Sequence, residues 1–139
     1  MNERILQKLA DSRDSINLVE EKLPNDYRGF YQMSRLERDG IYKNIEFAIQ
    51  SIIDICAIIL KEQDLRIPNS DDDMLTILKE SNIFTKKSIE TMRLMKSFRN
   101  RLVHRYGNID DELAYYNIKD GIDDFHMIFE EINTIIKNG

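Results

Sequence analysis

The chain has 139 residues, of which 42% are hydrophobic and 32% charged, a composition typical of one folded domain with a hydrophobic core. Its formal net charge of −5 argues against a general nucleic-acid-binding protein, and its single cysteine, Cys56, excludes an internal disulfide or a cysteine-based metal site. Only five glycines and two prolines interrupt it, and apolar residues recur every three or four positions, which predicts an all-α fold.

The first half of the chain predicts two helices. Pro24-Asn25 ends the first helix, whose apolar face runs from Ile5 to Leu23. The second begins within residues 26–33 and continues to about Asp64, passing through Gly40. Besides its main isoleucine face it has a second face at helical spacing, formed by Phe47, Ser51, Asp54 and Ile58. Because a helix that is apolar on two sides is buried on most of its surface, we expect a central helix or a subunit interface, and we favour a homodimer.

The second half predicts three further helices. Ser70–Asp73 has the pattern of a capping box, and the short helix that it starts ends near Ser81-Asn82. Thr85 can cap a fourth helix that stops at Gly107-Asn108, and residues 110–112 start the last one. The apolar positions of these two helices are Ile89, Met92, Met95, Phe98, Leu102, Val103, Leu113, Ile118, Ile122, Phe125, Phe129, Ile132 and Ile136.

The fourth helix carries an unusual concentration of positive charge. Between Lys86 and Arg105 there are seven basic residues and one acidic residue, a net charge of +6 in an otherwise acidic chain. Such a segment attracts anions, and its Lys96, Arg101 and Arg105 are candidates for binding RNA phosphates.

The same segment contains the residue types that metal-free RNA cleavage needs. RNA can be cut when its own 2′-hydroxyl attacks the adjacent phosphate, and this requires a group that transfers protons near neutral pH, such as His104. Arg99 supplies several rigid donors for the charge that develops on the phosphate, and Asn100 can orient the histidine or hold a phosphate oxygen. The alternative for His104 is a structural role, in which it satisfies carbonyl groups at the helix end. His126 is interpreted as a structural or surface histidine.

Helical geometry limits how Arg99 and His104 can act together. Arg99 falls within the apolar stripe, where a charge needs a partner, and Asp54 is a candidate counter-ion. At 100° per residue, positions five apart point about 140° away from each other. Either the helix unwinds near Val103-His104, or two copies of the chain contribute parts of one site across a dyad.

Residues Arg99 to Tyr106 resemble the R-N-x-L-V-H-x-Y signature of HepT-like proteins, which belong to the HEPN superfamily. The similarity extends over about Arg35 to Lys137. It implies that residues 1–139 form a single HEPN-like domain, an antiparallel bundle of about five helices that dimerises.

The resemblance also implies a function. Arg99 and His104 would be the catalytic pair of a metal-independent endoribonuclease, the toxin of a prokaryotic toxin–antitoxin pair that needs no cofactor. The expected partners are RNA, a second copy of the chain and an MntA-like nucleotidyltransferase antitoxin, which would silence the toxin by transferring AMP to Tyr106. The alternative is a non-catalytic HEPN module that binds RNA, a nucleotide or a nucleotidyltransferase. Without a signal-peptide core or an uncharged apolar span, we expect a cytoplasmic protein.

Overall fold

The described residues, 2–104 and 108–138 of a computed structural model, form only helices and no strand, which confirms the all-α prediction. The six helices of these residues are α1 (Glu3–Lys22), α2 (Tyr27–Gln32), α3 (Arg35–Glu62), α4 (Asp71–Glu80), α5 (Lys86–Val103) and α6 (Asp111–Asn138).

The predicted long second helix is two helices, α2 and α3, so the described residues form six helices where about five were expected. Met33 is extended, with φ −64° and ψ 153°, and it ends α2. Ser34 then caps α3 through a complete capping box, because its hydroxyl accepts from the Glu37 N–H at 3.1 Å and the Glu37 carboxylate accepts from the Ser34 N–H at 2.9 Å. Gly40 lies within α3 and does not break it.

Helix α3 is the centre of the fold, as its two apolar faces predicted. Thirteen of its 28 residues are buried, and it packs against α1, α4 and α5. Its second face is covered unevenly, since Ser51 and Ile58 are buried, Asp54 is half-buried and Phe47 is 47% exposed. Cys56 is fully buried, with its Sγ 3.6 Å from the Met92 Sδ, and burial raises the pKa of the thiol to about 12.

Helix α4 begins with a different arrangement from the predicted box. The Ser70 hydroxyl accepts from the Asp73 N–H at 3.0 Å, as expected, but the Asp73 carboxylate accepts from the Asn69 N–H at 2.9 Å and from two nitrogens of Arg66 at 2.8 Å each. The Arg66 guanidinium lowers the pKa of Asp73 to about 2.

The start of α5 agrees with the prediction. Two residues near the candidate site that were predicted to lie on the apolar faces of their helices are instead exposed. Thr85 caps α5 by accepting from the Ser88 N–H at 3.2 Å. Val103 is 47% exposed because it is the last residue of α5, and Leu113, in the first turn of α6, is 57% exposed. No helix in the described part of the chain is both long and apolar enough to cross a membrane.

Candidate active site

The end of α5 brings Arg99 and His104 into one cleft. The helix ends at Val103, and His104 is its cap residue, with φ −101°, ψ 24° and its backbone N–H donating to the Asn100 carbonyl at 3.1 Å. Both side chains line a cleft of about 410 Å³, the α3–α5 cleft. A single chain therefore brings both groups to one cleft, at the residue where α5 ends. The other residues that line it are Lys43, Glu46, Phe47, Gln50, Asn100 and Val103.

Two neutral amides hold the guanidinium of Arg99, whose side chain is only 14% exposed. Its Nη1 donates to the Gln50 Oε1 on α3. Its Nη2 and Nε donate to the Asn100 Oδ1 at 2.9 and 3.3 Å. The Asn100 side chain thus orients the arginine, and its predicted roles of orienting the histidine or holding a phosphate oxygen stay predictions. Because amides carry no net charge, they fix the arginine without cancelling its charge.

Asp54 is not the direct counter-ion of Arg99 that the sequence suggested. Its carboxylate accepts from the Gln50 Nε2 at 2.9 Å, one helical turn away, and forms an ion pair with Lys8 of α1 at 3.2 Å. These two contacts engage both of its oxygens, so Asp54 reaches Arg99 only through Gln50. The carboxylate that pairs with Arg99 is Asp71 of α4, at 3.8 Å from Nη2 and 47% exposed.

The first turn of α4 also neutralises other cations of the basic segment. Lys96, expected to bind RNA, forms an ion pair with Asp72 at 2.8 Å and its side chain is 15% exposed. Arg93 lies 3.4 Å from the same carboxylate, and the hydrogen bond from Lys96, with the two positive charges, lowers the pKa of Asp72. The ammonium of Lys96 is thus directed at α4, and its binding to RNA stays a prediction. Because these cations are paired with carboxylates of α4, the positive electrostatic potential that RNA would meet is weaker than a net charge of +6 suggests.

The remaining candidates of the segment are Arg101, Arg105 and Tyr106. Arg101 is exposed, and its guanidinium carbon lies 5.4 Å from the centroid of the Phe98 ring. Arg105 and Tyr106 lie outside the described residues. His126 is bonded to Glu20 with 43% of its side chain exposed, in agreement with its interpretation as a surface histidine. Among the described residues, no three His, Cys, Asp or Glu side chains form a group that could hold a metal ion.

Sequence reasoning missed Gln50, Asp71 and Asp72. Gln50 has the signal of helical spacing, since it stands four residues before Asp54 on the same face of α3. The two aspartates were attributed to helix capping alone, although a run of acids next to a basic helix is also the pattern of paired charges.

Comparisons with known proteins agree with the predicted resemblance. The family model described as ribonuclease HepT-like matches residues 12–132, so the similarity begins in α1 rather than near Arg35. The chain is 26% identical over 134 residues to the mRNA nuclease HepT of Shewanella oneidensis, covering 96% of this chain and 99% of that protein.

Solved structures share the fold. A tri-AMPylated Shewanella oneidensis HEPN toxin, in complex with an MNT antitoxin, has a TM-score of 0.85 and 25% identity, with 96% of this chain and 99% of that chain covered. The Bacillus subtilis cytosolic protein YutE has a TM-score of 0.79 at 19% identity, covering 96% and 89%, and shows a likeness of fold alone. The predicted HEPN-type helical fold is confirmed.

Proposed function

Because the chain belongs to the ribonuclease HepT-like family, we propose that it is a metal-independent endoribonuclease and the toxin of a prokaryotic toxin–antitoxin pair. The observation that carries the proposal is that Arg99 and His104 line one cleft at the end of α5. Residues 1–139 act as a single HEPN-like domain in the cytoplasm.

The chemistry starts from the RNA, which supplies its own nucleophile. The imidazole of His104 accepts the proton of the 2′-hydroxyl as that oxygen attacks the adjacent phosphorus. The 5′-oxygen of the next nucleotide leaves with a proton from an imidazolium, and the 2′,3′-cyclic phosphate remains. His104 is exposed and can reach a phosphodiester in the cleft.

Arg99 stabilises the negative charge that builds on the phosphate oxygens. A guanidinium has five N–H donors, and the amides of Gln50 and Asn100 engage three of its nitrogens with one bond each. One N–H each on Nη1 and Nη2 remains for phosphate oxygens, and a bound phosphate would compete with the Asp71 carboxylate, 3.8 Å from Nη2, for the guanidinium. Since the side chain is held before substrate binds, little reorganisation opposes the reaction.

A homodimer fits the apolar rim of this cleft. Phe47 of α3 and Val103 of α5 line it, and each is 47% exposed. In a symmetric dimer each rim meets its counterpart, which would bring two His104 side chains near one another, one as base and one as acid. Sedimentation velocity at micromolar concentration tests this arrangement, and a monomer would contradict it.

The proposed control of the toxin is AMP transfer to Tyr106 by an MntA-like nucleotidyltransferase. Tyr106 follows His104 by two residues in the chain, and the solved Shewanella oneidensis toxin is tri-AMPylated in its complex with an MNT antitoxin. Added AMP would place bulk and negative charge beside the site and repel the RNA backbone. Tyr106→Phe, analysed by intact mass after incubation with the antitoxin and ATP, should lose this modification.

The experiment that tests the proposed activity is cleavage of total tRNA and of a model mRNA in excess EDTA. We expect the unmodified wild-type protein to cut RNA and folded His104→Ala to be inactive. The matched control is His126→Ala, which removes the other histidine, on the surface beside Glu20, and should cut like the wild type. Equal cutting by folded His104→Ala would reject the proposal, and no cutting by any of the three would favour the non-catalytic HEPN module.

A further inference from the structure

We propose that a second cleft beside His104 is a nucleobase subsite for one nucleotide next to the cleaved phosphate; this inference rests on the proposed ribonuclease function. The cleft has a volume of about 550 Å³ and lies between the end of α5, residues 108–110 and the start of α6. We call it the α5–α6 cleft. The residues that carry the argument are Asn100, Arg101, His104, Asn108, Leu113 and Asn117.

The two clefts meet at the end of α5. Asn100 and His104 line both the α3–α5 cleft and the α5–α6 cleft. A phosphodiester bound between Arg99 and His104 carries a nucleoside on each side, so its chain must leave the first cleft in two directions. The α5–α6 cleft, which shares His104 with the first cleft, lies along one of these two directions.

The lining of the α5–α6 cleft matches a nucleobase better than a second phosphate. Three asparagines line it: the amides of Asn108 and Asn117 offer both donors and an acceptor, as the edge of a base does, and Asn100, whose Oδ1 accepts from Arg99, offers donors. Leu113 contributes an apolar surface that is 57% exposed. A phosphate would favour a cluster of cations, whereas here Arg101 faces a cleft that Asp110 also lines.

Arg101 adds a planar surface on which a base can stack. Its guanidinium carbon lies 5.4 Å from the centroid of the Phe98 ring, so the ring supports the cation from one side. Guanidinium planes and aromatic rings are the usual stacking partners of unpaired bases in RNA-binding proteins. Arg101 is therefore assigned to the base, where the sequence had suggested general binding of phosphates.

Asn117 is the residue that tests the subsite. Asn100 also holds Arg99, so its loss would disturb the catalytic arginine, but Asn117 is an exposed residue of α6 that lines the α5–α6 cleft and not the α3–α5 cleft. Asn117→Ala should fold normally. Asn133→Ala, on the same helix and lining neither cleft, is the matched control.

Binding of short RNA oligonucleotides that are 2′-O-methylated throughout, and so cannot be cut, is measured by fluorescence anisotropy. Each oligonucleotide lacks the base at one position in turn. For the wild type and Asn133→Ala, we expect removal of one particular base to raise Kd about tenfold, as for the loss of one or two hydrogen bonds. For Asn117→Ala, the same removal should raise Kd by only about threefold, because the hydrogen bonds to Asn117 are already lost while stacking on Arg101 remains.

Two results would overturn the subsite: a wild type that binds every abasic oligonucleotide as tightly as the complete one, or an Asn117→Ala variant as sensitive to each missing base as the wild type. Failure of the proposed function gives a different pattern. Base-dependent binding through Asn117, together with no RNA cleavage in EDTA by unmodified protein, would reject the ribonuclease and retain the nucleobase subsite.

Discussion

Replacing Gln50 by methionine should disable the arginine of the active site without disturbing the fold. The Gln50 amide bridges two charged groups, since its Oε1 accepts from Arg99 and its Nε2 donates to Asp54 at 2.9 Å. Because Asp54 accepts from the nitrogen end of the amide, the oxygen end must face the arginine. Methionine has nearly the same length and can make neither hydrogen bond.

The size of the effect follows from the contacts that are lost and kept. A hydrogen bond to a charged group is worth about 1.5–3 kcal/mol, and about 1.4 kcal/mol corresponds to a factor of ten in rate. Arg99 keeps its two bonds to the Asn100 Oδ1, which restrain it partly. We therefore expect kcat to fall about 10- to 100-fold, with KM changing by less than about threefold. The pH dependence of kcat should not change, because His104 is untouched.

Gln7→Met is the matched control for this experiment. Gln7 donates through its Nε2 to the Asp11 Oδ1 at 2.9 Å, the same pairing across one helical turn that Gln50 makes with Asp54. Gln7 is exposed, Asp11 is half-buried, and neither residue lines the α3–α5 cleft. Initial rates of cleavage of a fluorogenic RNA in EDTA, over a range of substrate concentration, separate kcat from KM. Wild-type kcat in folded Gln50→Met would refute the positioning role.

Three further predictions concern the fold. Since Arg66 lowers the pKa of Asp73 to about 2 from an ordinary value of 3.8, the stability that this carboxylate provides is complete above 3.8 and is lost as the pH falls towards 2. The melting temperature of Asp73→Asn should therefore fall less steeply than that of the wild type between about pH 4 and about pH 2. An equally steep fall in both proteins would contradict this assignment. Because burial raises the pKa of Cys56 to about 12, native protein should resist a thiol reagent at about pH 8 while unfolded protein reacts; fast native labelling would show that the core is open. Leu102→Ala, at a fully buried position, should lower the free energy of unfolding in urea by about 2–5 kcal/mol, and a loss below about 1 kcal/mol would mean that α5 is not anchored there.

The helices could be predicted from the sequence because their apolar residues repeat with the helical period. That period identified α1, the long α3, α5 and α6, and Thr85 marked the start of α5. The break before α3 was missed, although Ser34 and Glu37 have the spacing of a capping box. The apolar residues after Ser34 repeat so regularly with the helical period that this local signal for the start of a helix was overlooked.

The site could be predicted only in part because its supporting contacts join separate helices. The sequence marked Arg99 and His104 by residue type and spacing, and the two do share a cleft. It could not show that Gln50 would come between Arg99 and Asp54, since this depends on how α3 packs against α5. A neutral glutamine also lacks the charge that makes a catalytic candidate visible in a sequence.

The most direct test of the central claim is the chemistry of the cut ends. Wild-type protein in EDTA is given an RNA whose cleavage site has been mapped, and the same RNA with a single 2′-deoxyribose at that site. We predict 2′,3′-cyclic phosphate and 5′-hydroxyl ends from the first RNA and no cutting at the deoxy position of the second, because the attacking hydroxyl is missing. Cutting at the deoxy position, or ends bearing a 3′-hydroxyl and a 5′-phosphate, would contradict cleavage by Arg99 and His104 through the 2′-hydroxyl of the RNA.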